Sequence, residues 1–475
     1  MKINFPNKLT DDFWFIALVS FALVLNFAWV PGFFADGYLY AGLGKTAATE
    51  GHWLIPKLND SYFQEFYHHL PFVFIWEGWF FKIFGVGFTQ ARIFISLFNI
   101  GSILLVYNFL KEKTSREHAF VSASLLLLTY PLLRFSRYPN TDLPFMFFSF
   151  CVLVCYFNAQ RFPLKKRWWL LSGFFLGLAI YSKGLLAVVI PAGIFFHEAV
   201  FKKFSGLKKI WSWISLLLAG SFWGLWFLLL KTQGRSDIFF KYFNHVGGAV
   251  NSGVTHYNHA DDYLLYTRHL LIHTGPWILL AGFGAYNYFK NKVRDELFTT
   301  FFSYFVFVFV FLSFQKVKMS YYLVTLYPPL AILAGYGVMQ FPKYLPKIIS
   351  GFKIFFLLAM SILLVFPLTN KSSRDQGIYR TLEITGDIYP QINDWYVVSG
   401  SYPHNDVALL LGFMNKHTVK EIKLDDLKQE LEQNLGCNKI VVGFKNDLMP
   451  LTVEKKLRLV HTFPKDGFAS FTNCP

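Results

Sequence analysis

The sequence predicts an all-α polytopic membrane protein that ends in a small soluble α+β domain. Hydrophobic residues make up 54% of the 475 residues, and 57 phenylalanines are spread through long apolar segments. These segments are about 20 residues long, the length of a helix that crosses a bilayer. The net charge of +16 comes from short Lys and Arg clusters between the apolar segments, the pattern of cytoplasmic loops. These cations therefore indicate a membrane and not nucleic acid as the partner.

About 11 to 13 transmembrane helices are expected from segment length. The predicted spans cover residues 13–31, 92–110, 118–134, 142–160, 168–183, 185–201, 210–231, 269–289, 297–314, 321–340 and 350–368. The first segment has no small-residue cleavage site, so we expect it to be retained as a span. Pro71 to Phe88 is apolar but carries Glu77 and Lys82. Because another crossing there would move the basic cluster at Lys111 outside, we expect an interfacial or re-entrant helix.

Placing every basic cluster in the cytoplasm sends loops 32–70 and 232–268 and the C-terminal region to one external face. We assign residues 1–369 to the transmembrane module and 370–475 to the soluble domain. Alternating apolar stretches at 395–398 and 439–442 predict strands there, with a charged helix between them. Cys151 and Cys155 lie in an apolar run and are expected in the core. Cys437 and Cys474 can pair in an oxidising compartment.

Asp36 directly follows the first span and opens a polar loop that also contains Glu65 and His69. Two roles fit Asp36. An Asp before Gly37 is a common turn or capping residue. A carboxylate beside the lipid headgroups is also what glycosyl transfer to a hydroxyl requires, because a base must take the proton of the acceptor.

Further charged residues lie at predicted ends of spans on the same face. Arg134 and Arg137 fit interfacial residues that reach lipid phosphates, but Asp142 gains nothing from an anionic surface. Lys183 ends a span with no acid near it in the sequence. A cation in such a place is a candidate functional residue, and a phosphate is its natural partner.

Two more groups are candidate ligands. The loop from Gly234 to His273 contains several imidazoles and carboxylates, namely His245, His256, His259, Asp261, Asp262, His269 and His273. Their spacing lacks a tight zinc signature, so we favour a sugar-sized groove over a metal site. Lys316, Lys318, Tyr321 and Tyr322 stand at the entrance to a span, where they fit either interfacial anchors or anion ligands.

Three stretches and two acids resemble one family in their order and spacing. They are Asp36, Gly51–Asn59 (GHWLIPKLN), Asp142, Leu178–Gly184 (LAIYSKG) and Lys318–Leu323 (KMSYYL). The chain resembles the bacterial lipid-phosphate-sugar transferases of GT-C type, a family that includes the lipid A aminoarabinose transferase and, more distantly, protein O-mannosyltransferases. Two departures concern the first loop. Gly37 stands where the family usually has a second acid, and FQEFYHHLP at 63–71 lacks the lysine of the family's Phe-Glu-Lys-Pro-Pro run.

The resemblance implies inverting transfer from a polyprenyl-phosphate sugar to lipid A, another envelope glycan or a protein. It implies a bacterial inner-membrane enzyme with its site and C-terminal domain in the periplasm. No cofactor is expected, and a divalent metal would only assist. The implied catalytic residues are Asp36 as base with Asp142 and Glu65, and the implied substrate-binding residues are Lys183, Lys316, Lys318, Tyr321, Tyr322, Arg137, His69 and His256. The alternative is a transporter or flippase of lipid-linked sugars, which would predict internally repeated halves that the sequence does not show.

Overall fold

The computed structural model describes residues 12–33, 35–162, 164–252, 262–292, 295–365, 376–398, 404–414, 418–433, 439–454, 457–463 and 468–474. Helices dominate up to residue 365, and a sheet follows. The helices of this membrane module are α1 (Asp12–Val24), α2 (Ala35–Glu50), α3 (Phe72–Phe84), α4 (Phe88–Lys113), α5 (Arg116–Leu127), α6 (Tyr130–Phe135), α7 (Asp142–Arg161), α8 (Arg167–Lys183), α9 (Val189–Phe201), α10 (Ile210–Thr232), α11 (Ser236–Ser252), α12 (Leu265–Thr274), α13 (Pro276–Lys290), α14 (Glu296–Ser313), α15 (Tyr327–Met339) and α16 (Leu345–Val365).

Seven helical stretches of the described chain are long and apolar enough to cross a membrane. This is fewer than the eleven predicted spans, because the predicted spans 168–183 and 185–201 form one stretch, and those at 13–31, 118–134 and 269–289 contain only shorter helices. Gly184, with a φ of 61°, separates α8 from α9 within the stretch Arg167–Phe201. Gly275, with a φ of 51°, likewise separates α12 from α13. The predicted class, a helical membrane protein with a C-terminal α+β domain, is confirmed.

Helix α3 covers most of the segment that was expected to be interfacial. Its 13 residues extend about 20 Å, less than the roughly 30 Å of a hydrocarbon core. One face exposes Trp79, Ile83 and Phe84, while Glu77 is buried against Gly44 of α2. The helix is therefore too short to span and has the apolar face of a helix that lies along a membrane surface.

The C-terminal domain contains the strands β1 (Asp394–Val398), β2 (Thr418–Ile422), β3 (Lys439–Phe444), β4 (Arg458–Phe463) and β5 (Phe468–Thr472). They form one mixed sheet with the order β2-β1-β3-β5-β4. Strand β1 pairs in parallel with β2 and β3, whereas β5 pairs antiparallel with β3 and β4. The helices of this domain are α17 (Gln376–Ile388), α18 (His404–Phe413), α19 (Leu424–Gln433) and α20 (Lys445–Val453). Cys474 is disulfide-bonded, Cys437 lies outside the described residues, and Cys151 and Cys155 are buried free thiols.

Two hydrophobic cores position the elements that matter for function. The larger one fills the helix bundle, where α7 is buried along nearly its whole length. The second joins α2 and α3 to the C-terminal domain through side chains such as Tyr38, Phe74, Trp395 and Leu410. Helix α2, which begins beside Asp36, is therefore held between the bundle and the C-terminal domain.

Candidate active site

A buried ion pair joins the start of α7 to the end of α8. The Nζ atom of Lys183 lies 2.8 Å from Oδ1 of Asp142, and the two side chains are only 8% and 10% exposed. Lys183 also donates to Oγ1 of Thr141 at 3.1 Å and lies 4.7 Å from the ring centre of Tyr321. The acid that Lys183 lacks in its neighbouring sequence thus comes from another helix.

Local structure explains why these two side chains meet. The side chain of Asn140 caps α7, since its Oδ1 accepts from the backbone N–H groups of Asp142 and Leu143 at 3.1 and 3.0 Å. Helix α8 ends at Lys183 because Gly184 adopts a left-handed conformation that favours glycine. The two helices pack antiparallel against each other, so the first residue of one lies beside the last residue of the other. We call this end of the bundle the site face.

Asp36 lies at the N-terminus of α2 with an exposed side chain. One turn further along, desolvation raises the pKa of Tyr40 well above its usual value, and the negative charges of Asp36 and Asp142 raise it further. Burial also raises the pKa of Tyr138, again with contributions from both carboxylates. Asp36 and Asp142 therefore act on the same two tyrosines and belong to one site.

His69 joins this site through Tyr40. The hydroxyl of Tyr40 and Nε2 of His69 are 3.1 Å apart. Desolvation lowers the pKa of His69 well below its usual value, and the positive charge of Lys183 lowers it further. His69 is therefore a neutral imidazole near Lys183 at neutral pH and contributes hydrogen bonding without charge.

Arg92, buried on α4, holds the backbone on both sides of the site. Its guanidinium donates to the carbonyl oxygens of Val30 and Gly32, just before α2, and at 2.6 Å to that of Arg137, just before α7. The same group lies 4.9 Å from the ring centre of Phe33. One buried cation thus fixes the two chain segments that lead to Asp36 and Asp142.

Glu65 forms ion pairs with two cations that lie far along the chain. Its carboxylate pairs with Arg235 and, at 3.1 Å, with Lys241 of α11. Desolvation opposes ionisation of Glu65, but the hydrogen bonds from Lys241 and Arg235 outweigh it and lower the pKa. Next to it, His68 stacks face to face on His245 of α11 at 4.0 Å. These contacts fasten the 51–71 segment to α11, which favours a positioning role for Glu65.

The remaining predicted ligands are spread around this centre. Tyr322 packs edge-on against Tyr321 at 5.0 Å. Lys318 is buried and lies 5.2 Å from the ring centre of Tyr263, whereas Lys316 is exposed. Arg137 is half-buried, and His256 lies outside the described residues. Within the described ranges, no three His, Cys, Asp or Glu side chains form a group that could hold a metal ion.

Sequence reasoning missed Tyr40 and Arg92, although a signal for each was present. Tyr40 follows Asp36 by four residues, the spacing that puts two side chains on one helix face. Arg92 is an ionisable residue at the edge of an apolar span, which is costly unless the group has partners. Thr141 offered no comparable signal, because its contact with Lys183 depends on the packing of α7 against α8.

Comparison with known proteins bears on this site. Residues 68–227 match the family described as dolichyl-phosphate-mannose-protein mannosyltransferase. The undecaprenyl phosphate-alpha-4-amino-4-deoxy-L-arabinose arabinosyl transferase of Shewanella sediminis is 22% identical over 379 residues, 77% of this chain and 67% of that protein. A protein of Aquifex aeolicus is 26% identical over 67% of this chain and 61% of its own length. The chain thus spans about two thirds of these relatives.

The comparison with solved structures shows the fold. The crystal structure of ArnT from Cupriavidus metallidurans bound to undecaprenyl phosphate superposes with a TM-score of 0.69, at 16% identity, over 97% of each chain. This chain therefore has the fold of ArnT, and its sequence is similar to the aminoarabinosyl transferases. The resemblance predicted from the sequence motifs is confirmed, and so is the multi-pass membrane character. The Asp142–Lys183 pair and Asp36 share one end of the bundle with the 51–71 segment.

Proposed function

We propose that this protein is a glycosyltransferase that moves a sugar from a polyprenyl-phosphate donor to lipid A, another envelope glycan or a protein at the periplasmic face of the bacterial inner membrane. The observation that carries the proposal is the buried Asp142–Lys183 pair on the site face, whose carboxylate acts together with Asp36 on Tyr40 and Tyr138. The relatives named above support the donor class, because one is an undecaprenyl phosphate aminoarabinosyl transferase and the ArnT structure contains undecaprenyl phosphate.

Lys183 is assigned to the phosphate of the donor. An ammonium has three N–H donors, and the contacts with Asp142 and Thr141 account for two. We assign the third to a phosphate oxygen. In a nearly dry site a fixed positive charge stabilises the negative charge that develops as the sugar leaves. Tyr321, whose ring lies 4.7 Å from Nζ, helps to hold the ammonium in place.

Asp36 is assigned as the general base. The acceptor oxygen attacks the anomeric carbon while the bond from that carbon to the phosphate oxygen breaks, and the electron pair of that bond goes to the phosphate. The proton of the acceptor hydroxyl passes to the Asp36 carboxylate. Attack opposite to the leaving phosphate inverts the anomeric carbon. The exposure of Asp36 at the start of α2 leaves it open to an acceptor.

We propose that transfer needs no cofactor, because Lys183 supplies the positive charge that a metal ion would otherwise provide. Transfer by purified protein is then expected to continue in EDTA at the rate measured without it. A loss of transfer in EDTA that Mg²⁺ or Mn²⁺ restores would refute this part of the proposal.

The test is mass spectrometry of lipid A, envelope glycans and secreted proteins from cells that carry the wild-type chain, no chain, or a variant. Asp36→Asn is the test variant. Glu50→Gln is its matched control, since Glu50 is an exposed carboxylate at the other end of α2. The proposal expects one sugar to disappear without the chain and with Asp36→Asn, and to persist with Glu50→Gln.

Other outcomes are equally informative. A sugar that persists with Asp36→Asn but disappears without the chain would refute the base assignment and favour the flippase alternative. The same envelope composition with and without the chain would refute the proposed transfer at this membrane. The molecule that loses the sugar identifies the acceptor as lipid A, another glycan or a protein.

A further inference from the structure

A cleft of about 530 Å³ lies where the C-terminal domain meets the membrane module. Small-molecule sites commonly have volumes of a few hundred Å³. The side chains that define it are Lys45 of α2, Phe88 of α4, Tyr379, Glu383 and Asp387 of α17, and Phe413 of α18. Lys45 follows Asp36 by nine residues on one helix, a rise of roughly 13 Å. Neither Asp36, Asp142 nor Lys183 is among the residues that line the cleft.

Aromatic rings form one side of this cleft. The rings of Phe88 and Phe413 have their centres 5.1 Å apart, and Tyr379 meets Phe88 edge-on at 4.8 Å. Phe413 is buried, whereas Phe88 and Tyr379 are partly exposed. Partly exposed rings of this kind offer a flat surface on which the C–H face of a pyranose can pack through dispersion.

Two carboxylates line the cleft on the same face of α17 as Tyr379. Glu383 and Asp387 are four residues apart, so both lie on one face of α17. Glu383 accepts a hydrogen bond from the Tyr379 hydroxyl at 2.6 Å, and Asp387 is exposed. Each carboxylate has about four acceptor positions. These two groups suit a ligand that presents several hydrogen-bond donors, such as hydroxyl or ammonium groups.

The charge of the cleft narrows the ligand class further. Lys45 is buried, and its ammonium donates to the backbone carbonyl oxygen of Phe413, so it binds the two domains together. With one ammonium and two carboxylates, the defining side chains carry one net negative charge. A phosphate would be repelled here, in contrast to the site of Lys183, whereas an ammonium group would be attracted.

We propose that this cleft is a second binding site, which takes a neutral or amine-bearing saccharide. Aromatic rings pack against the sugar ring, and Glu383 and Asp387 accept hydrogen bonds from its hydroxyl and amino groups. The proposal depends on the cleft alone and not on the transfer reaction proposed above.

The test is saturation-transfer difference NMR on the detergent-solubilised full chain with three probes: glucosamine, glucose and glucose 1-phosphate. The proposal expects the tightest binding for glucosamine, weaker binding for glucose and the weakest for the phosphate. Asp387→Asn is expected to weaken glucosamine binding about ten-fold, the effect of losing one hydrogen bond to a charged group. Tyr379→Leu, which removes the ring and the hydroxyl, is expected to weaken both neutral and amine-bearing probes.

Two control variants make the result specific. Asp447→Asn removes an exposed carboxylate of α20 in the same domain and is expected to leave binding unchanged. The double variant Asp142→Asn/Lys183→Met is expected to leave glucosamine binding unchanged while transfer is lost, which separates this site from the proposed catalytic one. Absence of glucosamine binding, equal binding by Asp387→Asn, or a preference for glucose 1-phosphate would each overturn the proposal.

Discussion

Removing the charge of Lys183 should affect stability and transfer in separable ways. Lys183→Met leaves the Asp142 carboxylate, only 10% exposed, without its 2.8 Å partner. Loss of one member of a buried ion pair costs about 3 to 5 kcal/mol, because the remaining charge stays desolvated. Replacing both members removes that penalty. We therefore expect Lys183→Met to be strongly destabilising and the double variant Asp142→Asn/Lys183→Met to recover most of the lost stability.

Transfer should respond differently. Loss of one donor that stabilises developing charge typically lowers the rate by about 10²- to 10³-fold. The double variant regains stability but not the ammonium, so its transfer should stay as low as that of Lys183→Met. The free energy of unfolding is measured by SDS titration in mixed micelles, and transfer by mass spectrometry of the acceptor.

Lys202→Met provides the matched control. Lys202 pairs with Glu296, but these side chains are 25% and 36% exposed, and a pair open to solvent contributes only about 0 to 1 kcal/mol. If Lys183→Met destabilises no more than Lys202→Met, Asp142 and Lys183 do not form a desolvated pair in the protein. If the double variant transfers sugar at the wild-type rate, Lys183 does not act on the phosphate.

Three further variants test the surroundings of the site. Tyr40→Phe removes the hydrogen bond with His69. A hydrogen bond contributes about 0.5 to 1.5 kcal/mol, so its loss should lower kcat/KM roughly two- to twelve-fold. Unchanged kinetics would exclude a role for this contact. Desolvation lowers the pKa of His68 to about 4, below its value of about 6.5 in the unfolded chain. Folding therefore favours the neutral imidazole, and the free energy of unfolding falls as the pH drops from 6.5 towards 4. His68→Phe should flatten the dependence of the thermal midpoint on pH in this interval, and an equal slope in both proteins would contradict the assignment. Gly184→Ala would place a methyl group at a φ of 61° and against the Tyr242 hydroxyl, so we expect a lower thermal midpoint that Tyr242→Phe partly restores; a tolerated alanine would show that α11 does not pack there.

The fold class followed from properties that each segment carries by itself. Apolar runs of bilayer length, basic clusters between them and alternating stretches near the end are local patterns, so composition and spacing were enough to predict the two-part architecture. Asp36, Asp142 and Lys183 stood out for the same reason, since an ionisable group at a span end is costly and needs an explanation. The number of uninterrupted spans was less accessible, because breaks such as that at Gly275, inside the predicted span 269–289, depend on backbone conformation.

Only the tertiary structure decided which of these groups meet. Asp142 and Lys183 are 41 residues apart, and their contact depends on how α7 and α8 pack against each other. Glu65 lies close to His69 in the sequence, and its ion-pair partners, Arg235 and Lys241, come from far along the chain. Pairing of this kind depends on the packing angles of helices and the directions of side chains, which a sequence pattern does not contain. The sequence therefore identified the ionisable residues whose place at a membrane costs free energy, and packing determined their partners.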